Sequence, residues 1–389
     1  MGNLADPLAC VLGNLDLVRP LTNAGIACVV PAGRGIVSHS RFARHVIELP
    51  DDTPEGIVRS VVDFGRSRSE PPVLFYQSDA DLMLVSRHRA ALSQGLRFAI
   101  ASPELVETLT DKQRWLDLAE RLQLPVPASV ALDPRKPPPP ALRYPLVLKL
   151  ASHAEGRRLV PGSHAKAILV RDREDLFLRW PAIEAAGDTV IAQEWIAGPE
   201  SAVESYHVYI DAAGRRVADF TGRKIRTYPR RFGTSTALEV TEIPDVQALG
   251  REVAERIGLT GVAKLDMKRD PAGRLWLLEV NARFSLWHHL GAAAGTNIPA
   301  LVWADLAGRP RPAIRQRPRR ATWWSVDDLR AGPAHGLGAL ATLRFAATAT
   351  VRSGLAWDDP GPLLHGVTAR VRREIARGLR AMELSRRWA

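Results

Sequence analysis

The stretch from Gly261 to Trp287, GVAKLDMKRDPAGRLWLLEVNARFSLW, constrains the fold more than any other part of the chain. VAKLDMKR alternates apolar and polar residues, Asp270 to Gly273 is a turn-forming cluster, and LWLLEVN is a second β-rich run, so the segment reads as a β-hairpin. Residues two apart in a strand share a face, which groups Lys264 with Asp266 on the first strand and Glu279 with Asn281 and Arg283 on the second. Carboxylate and amide oxygens are hard ligands suited to Mg²⁺, which takes one or two protein carboxylates and completes its octahedron with nucleotide phosphates and water. Solvated acids on a surface hairpin are the plainer reading. The apolar runs around these acids predict burial, however, and a buried carboxylate needs a partner or a metal. Asp266, Glu279 and Asn281 are therefore expected to form a metal site for a phosphorylated ligand.

The spacing Asp-x12-Glu-x-Asn, with Lys264 two before the Asp and Arg283 two after the Asn, resembles the ATP-grasp superfamily of carboxylate-amine ligases, which includes D-alanine-D-alanine ligase and carbamoyl-phosphate synthetase. The resemblance implies matching elements upstream in a fixed order. In LTDKQRWLDLAERLQLPVPAS a Lys follows an Asp at a helix start, and Lys112 would reach the α-phosphate. Tyr144 to Lys149, YPLVLK, is a short apolar strand carrying one Lys, similar to the second nucleotide-binding lysine; an isolated Lys there is costly unless paired, and a phosphate would pair it. QEWIAGPE, Gln193 to Glu200, resembles the hinge between lid and core. By position Glu194 would accept from the adenine amino group, backbone groups of Trp195 and Ile196 would bond the adenine edge, and Glu200 would hold the ribose hydroxyls.

A finer resemblance lies in FTGRKIRTYPRRFGT, from Phe220, which is similar to a segment of the predicted carboligase branch of the superfamily, a branch that also resembles D-aspartate ligase. Lys224 and Arg226 are two apart and are expected to share a face, where their charges suit a γ-phosphate, an acyl-phosphate or a substrate carboxylate. Arg230 and Arg231 read instead as a solvated strand edge. The lid loop SHAEGRRLVPGSHAK holds only Gly156 and Gly162, fewer glycines than backbone cradling of phosphate favours.

The resemblance implies an α/β (α+β) chain with an ATP-grasp fold: an N-terminal parallel βαβ domain at 1–110, a small lid at 111–200, an antiparallel-sheet core with the Mg²⁺ site at 201–310, and a C-terminal extension at 311–389. The N-terminal part supports this directly, since β-rich runs (ACVLGN, IACVVPA, PVLFYQ, RFAIAS) alternate with helix-like segments (LDLVRPLTNAG, PEGIVRSVVDFGRS, ADLMLVSRHRAALSQG). The proline run at Asp133 to Pro140 reads as a stiff connector. Trp323, Trp324 and Trp357 are expected to be packing anchors.

The implied activity is ATP-dependent amide formation through an acyl-phosphate, with ATP and Mg²⁺ as cofactors and Mn²⁺ as an alternative ion. Arg283, Lys264, Arg226 and Lys224 would stabilise the reacting phosphoryl and acyl groups. A phosphotransferase or a non-catalytic nucleotide-binding scaffold are the alternatives. The substrates would be a small carboxylate and an amine, by analogy amino acids or surface-polymer precursors.

Composition bounds the rest. With 389 residues and 46% hydrophobic content the chain can build two or three packed domains without staples. Two cysteines, Cys10 and Cys28, exclude a disulfide framework. No apolar run is long enough for a bilayer and the start lacks a basic secretory signal, so a cytoplasmic protein is expected. A net charge of +11 calls for an anionic partner, but no nucleic-acid motif accompanies it and none is expected to bind. Much of the excess sits at 369–389, where Val371, Ile375, Leu379 and Met382 form one stripe among arginines; this helix would dock on its own core, or meet an anionic membrane surface or an acidic partner. A homodimer is the commonest assembly for such a chain.

Overall fold

The computed structural model describes residues 7–151, 167–315, 320–355, 358–366 and 368. The lid loop 152–166, Trp357 and the basic stripe from Val371 to Met382 lie outside them.

Four short strands open the chain: β1 (Ala9–Leu12), β2 (Cys28–Pro31), β3 (Ala43–Ile47) and β4 (Val73–Tyr76). They form a parallel sheet in the order β3-β2-β1-β4. β1, β2 and β4 are buried throughout, which is why they read as unbroken apolar runs. Their connecting helices start on side-chain caps: Thr53 accepts from the Gly56 amide before Pro54–Arg66, and Ser78 and Asp81 form a capping box before Asp79–Arg87. One expectation fails here and one strand was not foreseen. RFAIAS is no strand, only a single bridge from Arg97 to Val73, and the sheet's edge strand is Ala43–Ile47. The sequence ARHVI was overlooked because an exposed edge shows neither alternation nor an apolar run.

The lid sheet is antiparallel, in the order β5-β8-β6-β7, from β5 (Ser129–Leu132), β6 (Leu146–Leu150), β7 (Ile168–Val170) and β8 (Val190–Glu194). One face packs on the helix Arg173–Ala186 through Leu146, Leu148, Val190, Leu176, Trp180 and Ile183.

The largest sheet contains β9 (Val203–Ile210), β10 (Arg216–Tyr228), β11 (Thr234–Thr241), β12 (Gly261–Arg269), β13 (Leu275–Asn281), β14 (Thr322–Ser325) and β15 (Val351–Ser353), in the order β13-β12-β9-β10-β11-β14-β15. The expected hairpin is β12–β13. The expected boundary near residue 310 does not separate the sheets: β14 pairs with β11, and Trp323 and Trp324 are buried, Trp323 donating to Asp16 Oδ1 at 2.9 Å. Gly222 on β10 is required by packing, since a Cβ there would stand 2.3 Å from the Trp287 ring.

Candidate active site

The site is built on one face of the large sheet, where cross-strand register places side chains in rows. Ser205, Asp266 and Glu279 form one row across β9, β12 and β13; His207, Lys264 and Asn281 form the next. Asp266 is buried, accepting from Ser205 Oγ at 2.5 Å and Lys264 Nζ at 2.6 Å. Asn281 Nδ2 donates to Glu279 Oε1 at 3.2 Å, and Arg283 Nη2 donates to Asn281 Oδ1 at 3.2 Å. Two carboxylates and an amide oxygen thus stand side by side, a hard-oxygen set that suits a divalent cation sharing its sphere with phosphate.

Lysines from elsewhere in the chain face this set. Lys112 is the first residue of the helix Lys112–Arg121, fixed there by Asp111, whose carboxylate accepts from the Gln113 and Arg114 amides. Its ammonium donates to the Leu150 carbonyl at the end of β6. Burial, and then the neighbouring Lys149, push the Lys112 pKa down to about 8, against an opposing pull from Glu279, Asp79 and Asp111. Lys149 is also pushed below the usual lysine range, by burial first, with Lys224 adding repulsion and Glu279, Asp266 and Glu200 opposing. Both lysines are half-buried, and two ammonium groups coupled in this way call for an anion.

Gln193 is the residue that motif reading missed. Its Oε1 accepts from Lys149 Nζ at 2.8 Å while its Nε2 donates to Ser129 Oγ at 3.0 Å. Register explains why: Gln193 pairs with Val147 and so shares the Lys149 face, whereas Glu194 pairs with Leu146 on the helix-covered face. Strand alternation therefore places the Glu194 side chain on the face opposite Lys149. The Trp195 amide donates to the Pro145 carbonyl at 3.1 Å. The Ile196 side chain is buried.

A cavity of ≈ 520 Å³ opens beside the hinge, walled by Trp195, Glu200, Ile225, Arg231, Phe232 and Lys268. Glu200, the acid expected to hold the ribose hydroxyls, is one of its walls. Arg230 and Arg231 also line this cavity rather than a plain solvated edge. Lys268 donates to the Gly198 carbonyl at 3.0 Å, and burial lowers its pKa, with Lys224 and Arg231 adding to the effect.

One catalytic assignment changes. Arg226 does not share the face of Lys224: a β-bulge at Ile225 separates them, and the Arg226 guanidinium is buried in a two-bonded pair with Asp328. Arg283 is engaged by the N-terminal domain, donating to both Asp79 oxygens and to the Gln77 carbonyl. The cysteines are buried thiols, with Cys10 pushed up to about 12 by burial, so neither is poised as a nucleophile.

Residues 190–327 match the family model described as ATP-grasp in the biosynthetic pathway with Ter operon. The chain carries an ATP-grasp domain. Outside that model, this ATP-grasp chain is 28% identical over 229 residues to a D-alanine--D-alanine ligase of Pseudomonas putida and 29% identical over 211 residues to one of Halorhodospira halophila. Those matches cover 54% and 49% of this chain and 65% and 64% of the relatives, so the chain spans just under two thirds of their length. Among solved structures, the L-amino acid ligase of Bacillus licheniformis superposes with a TM-score of 0.60 at 17% identity, over 83% of this chain and 79% of that one. An ADP complex of N5-carboxyaminoimidazole ribonucleotide synthetase gives 0.61 at 12% identity, over 82% and 81%. These likenesses show the ATP-grasp fold.

Lys149 also carries a prediction. Lys149→Met removes a half-buried ammonium whose side-chain partner is Gln193 and whose desolvation lowers its pKa, so the variant is expected to melt at a higher temperature while losing about tenfold or more in nucleotide affinity. Thermal unfolding and ATP titration of the same preparation check this; a variant that loses stability would mean that the lysine is internally satisfied.

Proposed function

We propose that this chain is an ATP-dependent carboxylate-amine ligase that forms an amide and releases ADP and phosphate. The reading is carried by the placement of Lys112 and Lys149, two half-buried lysines from separate elements brought together near Glu279 and Asp266. Triphosphate between the lysines and the hairpin would meet positive charge on one side and a metal-ready oxygen set on the other. Asp266, Glu279 and Asn281 would hold Mg²⁺, which when bound offsets charge on the β- and γ-phosphates.

The rest is done by the chain's own groups. Lys112 and Lys149 would neutralise phosphate oxygens, and the hinge cavity with Glu200 would take the nucleoside. The carboxylate of the acid substrate attacks the γ-phosphorus, giving an acyl-phosphate and ADP; the amine then attacks the acyl carbon, phosphate leaves, and a proton is lost from nitrogen. Lys264, two residues from Asp266 on the same face, and Arg283 would stabilise the charge that builds on the acyl oxygens. Arg283 would first exchange Asp79 for this ligand. The names of the relatives, D-alanine--D-alanine ligase and L-amino acid ligase, favour amino acids as both acid and amine.

ADP and phosphate release from Mg-ATP, with pooled amino acids supplied as acid and amine, tests the proposal. Release that needs both co-substrates is the expected result. Release with an acid alone would replace the ligase by a phosphotransferase, and ATP binding without release in any pool would favour a scaffold.

A further inference from the structure

Arg226 and Asp328 form a deeply buried ion pair, with side chains 8% and 0% exposed and contacts of 2.9 and 2.6 Å. The guanidinium lies 4.4 Å from the Phe345 ring centre, and Thr236 Oγ1 donates to Asp328 Oδ1 at 2.8 Å. A pair this dry gives back little more than its desolvation cost, so stability alone is a weak reason for it.

The strand register shows a second consequence. Lys224 on β10 faces Leu238 on β11, and Arg226 faces Ala237. Adjacent residues on β11 are thus met by residues two apart on β10. Ile225 is the extra residue, and Lys224 and Arg226 point to opposite faces. One step further, Thr227 faces Ser235, which makes Thr236 the extra residue on β11. Arg226 beside the first bulge and Thr236 in the second both donate to the same carboxylate. On the other face Ile225 lines the hinge cavity. Lys224 is close enough to Lys149 and Lys268 to push down both their pKa values.

We propose that Asp328 is a positioning residue for Lys224: by holding Arg226 and Thr236 on the far face, it pins the paired bulges that turn Lys224 and Ile225 into the nucleotide cleft. Asp328 opens the helix Asp328–Ala334, one residue beyond the segment 190–327 that the family model matches. The clamp is therefore supplied from outside the matched segment. The inference rests on the nucleotide reading of the cleft.

The test is a double-mutant cycle on the full chain, read as the dissociation constant of Mg-ATP by calorimetry. Lys224→Gln should weaken binding about tenfold, the loss of one charge-assisted contact. Arg226→Met with Asp328→Leu replaces the pair by apolar residues of similar size, a change that buried ion pairs often tolerate. This pair variant should unfold cooperatively yet bind about tenfold more weakly. Adding Lys224→Gln to it should then cost almost nothing more, a coupling that a purely structural role would not produce. Undiminished affinity in the pair variant, or an unaltered further loss on adding Lys224→Gln, overturns the proposal. Should the pair variant fail to fold, Asp328→Asn carries the same cycle, because the amide keeps the shape and one acceptor for Thr236. Absence of Mg-ATP binding by the unaltered chain overturns the nucleotide reading itself, separately from the clamp.

Discussion

Glu279→Gln reduces ADP release by about a thousandfold, roughly 4 kcal/mol of barrier, and leaves the unfolding transition where it is. The two halves of this expectation have different physical origins. Glu279 sits on β13 with its side chain largely in solvent, so exchanging a carboxylate oxygen for an amide disturbs no core packing. Its charge, however, is directed into the cleft, where it raises the pKa values of both Lys112 and Lys149 and stands opposite Asp266 in the strand pairing. The amide therefore loses a metal-binding charge and leaves the two lysines less compensated. A second readout follows from the sign of that effect. Nucleotide affinity of the unaltered chain should fall as pH rises through about 8, where Lys112 gives up its proton. Without Glu279 to hold the proton on, the fall should begin at lower pH. A coupled ADP assay beside thermal unfolding checks the first part, and turnover equal to that of the unaltered chain would remove Glu279 from the site.

The second large effect is on stability in acid. His207 and His288 are fully enclosed, and burial holds both pKa values down, His288 to about 4 and His207 well below the usual imidazole range. His288 Nδ1 stands 2.9 Å from the Ser285 amide and 3.0 Å from the Ser285 carbonyl, so the Ser285 backbone fixes this edge of the ring. His207 is stacked between Phe220 and Trp287, and neither of its ring nitrogens has a hydrogen-bond partner among the described residues. The unfolded chain protonates these imidazoles near pH 6.5 and the folded chain does not. The folded state thus keeps its full stability above 6.5 and loses it as pH falls toward about 4. For His288 alone the loss is roughly 3 kcal/mol, from a shift of about two and a half units at 1.36 kcal/mol each. Urea unfolding across this range measures it. His207→Phe should flatten the pH dependence without costing stability near neutrality, because the phenyl ring keeps the stack and removes two unpaired polar atoms. Stability that stays level down to pH 4 in the unaltered chain would show that the imidazoles are solvated.

What could be read from the chain beforehand follows the range of the forces involved. The hairpin of Asp266, Glu279 and Asn281 was legible because alternation and a DPAG turn are local, and Lys112 and Lys149 because each is a lone lysine in a telling context. Arg226 was misplaced because the bulge at Ile225 depends on Asp328, 102 residues away, and no local pattern announces it. Gln193 was legible only as the first residue of the hinge segment; its place on the Lys149 face follows from its pairing with Val147 and needs the neighbouring strand. The edge strand Ala43–Ile47 escaped for a related reason, its polar face being set by its place at the end of a sheet rather than by any period of its own.

The lid sheet has a hydrophobic cluster to itself, whereas the other two clusters each run from the parallel N-terminal sheet into the large one. The apolar area of the lid sheet is therefore buried within its own unit, and a change in its setting against the remainder would expose little of either cluster. One tie across that joint is the hydrogen bond from Lys112 to the Leu150 carbonyl, a contact worth about 1.5–3 kcal/mol. The ammonium proposed to meet phosphate is thus also a tie on the lid sheet: a nucleotide that claims it would exchange this bond for a phosphate contact, while β6 keeps its pairing with β8 through Leu150 and Val190.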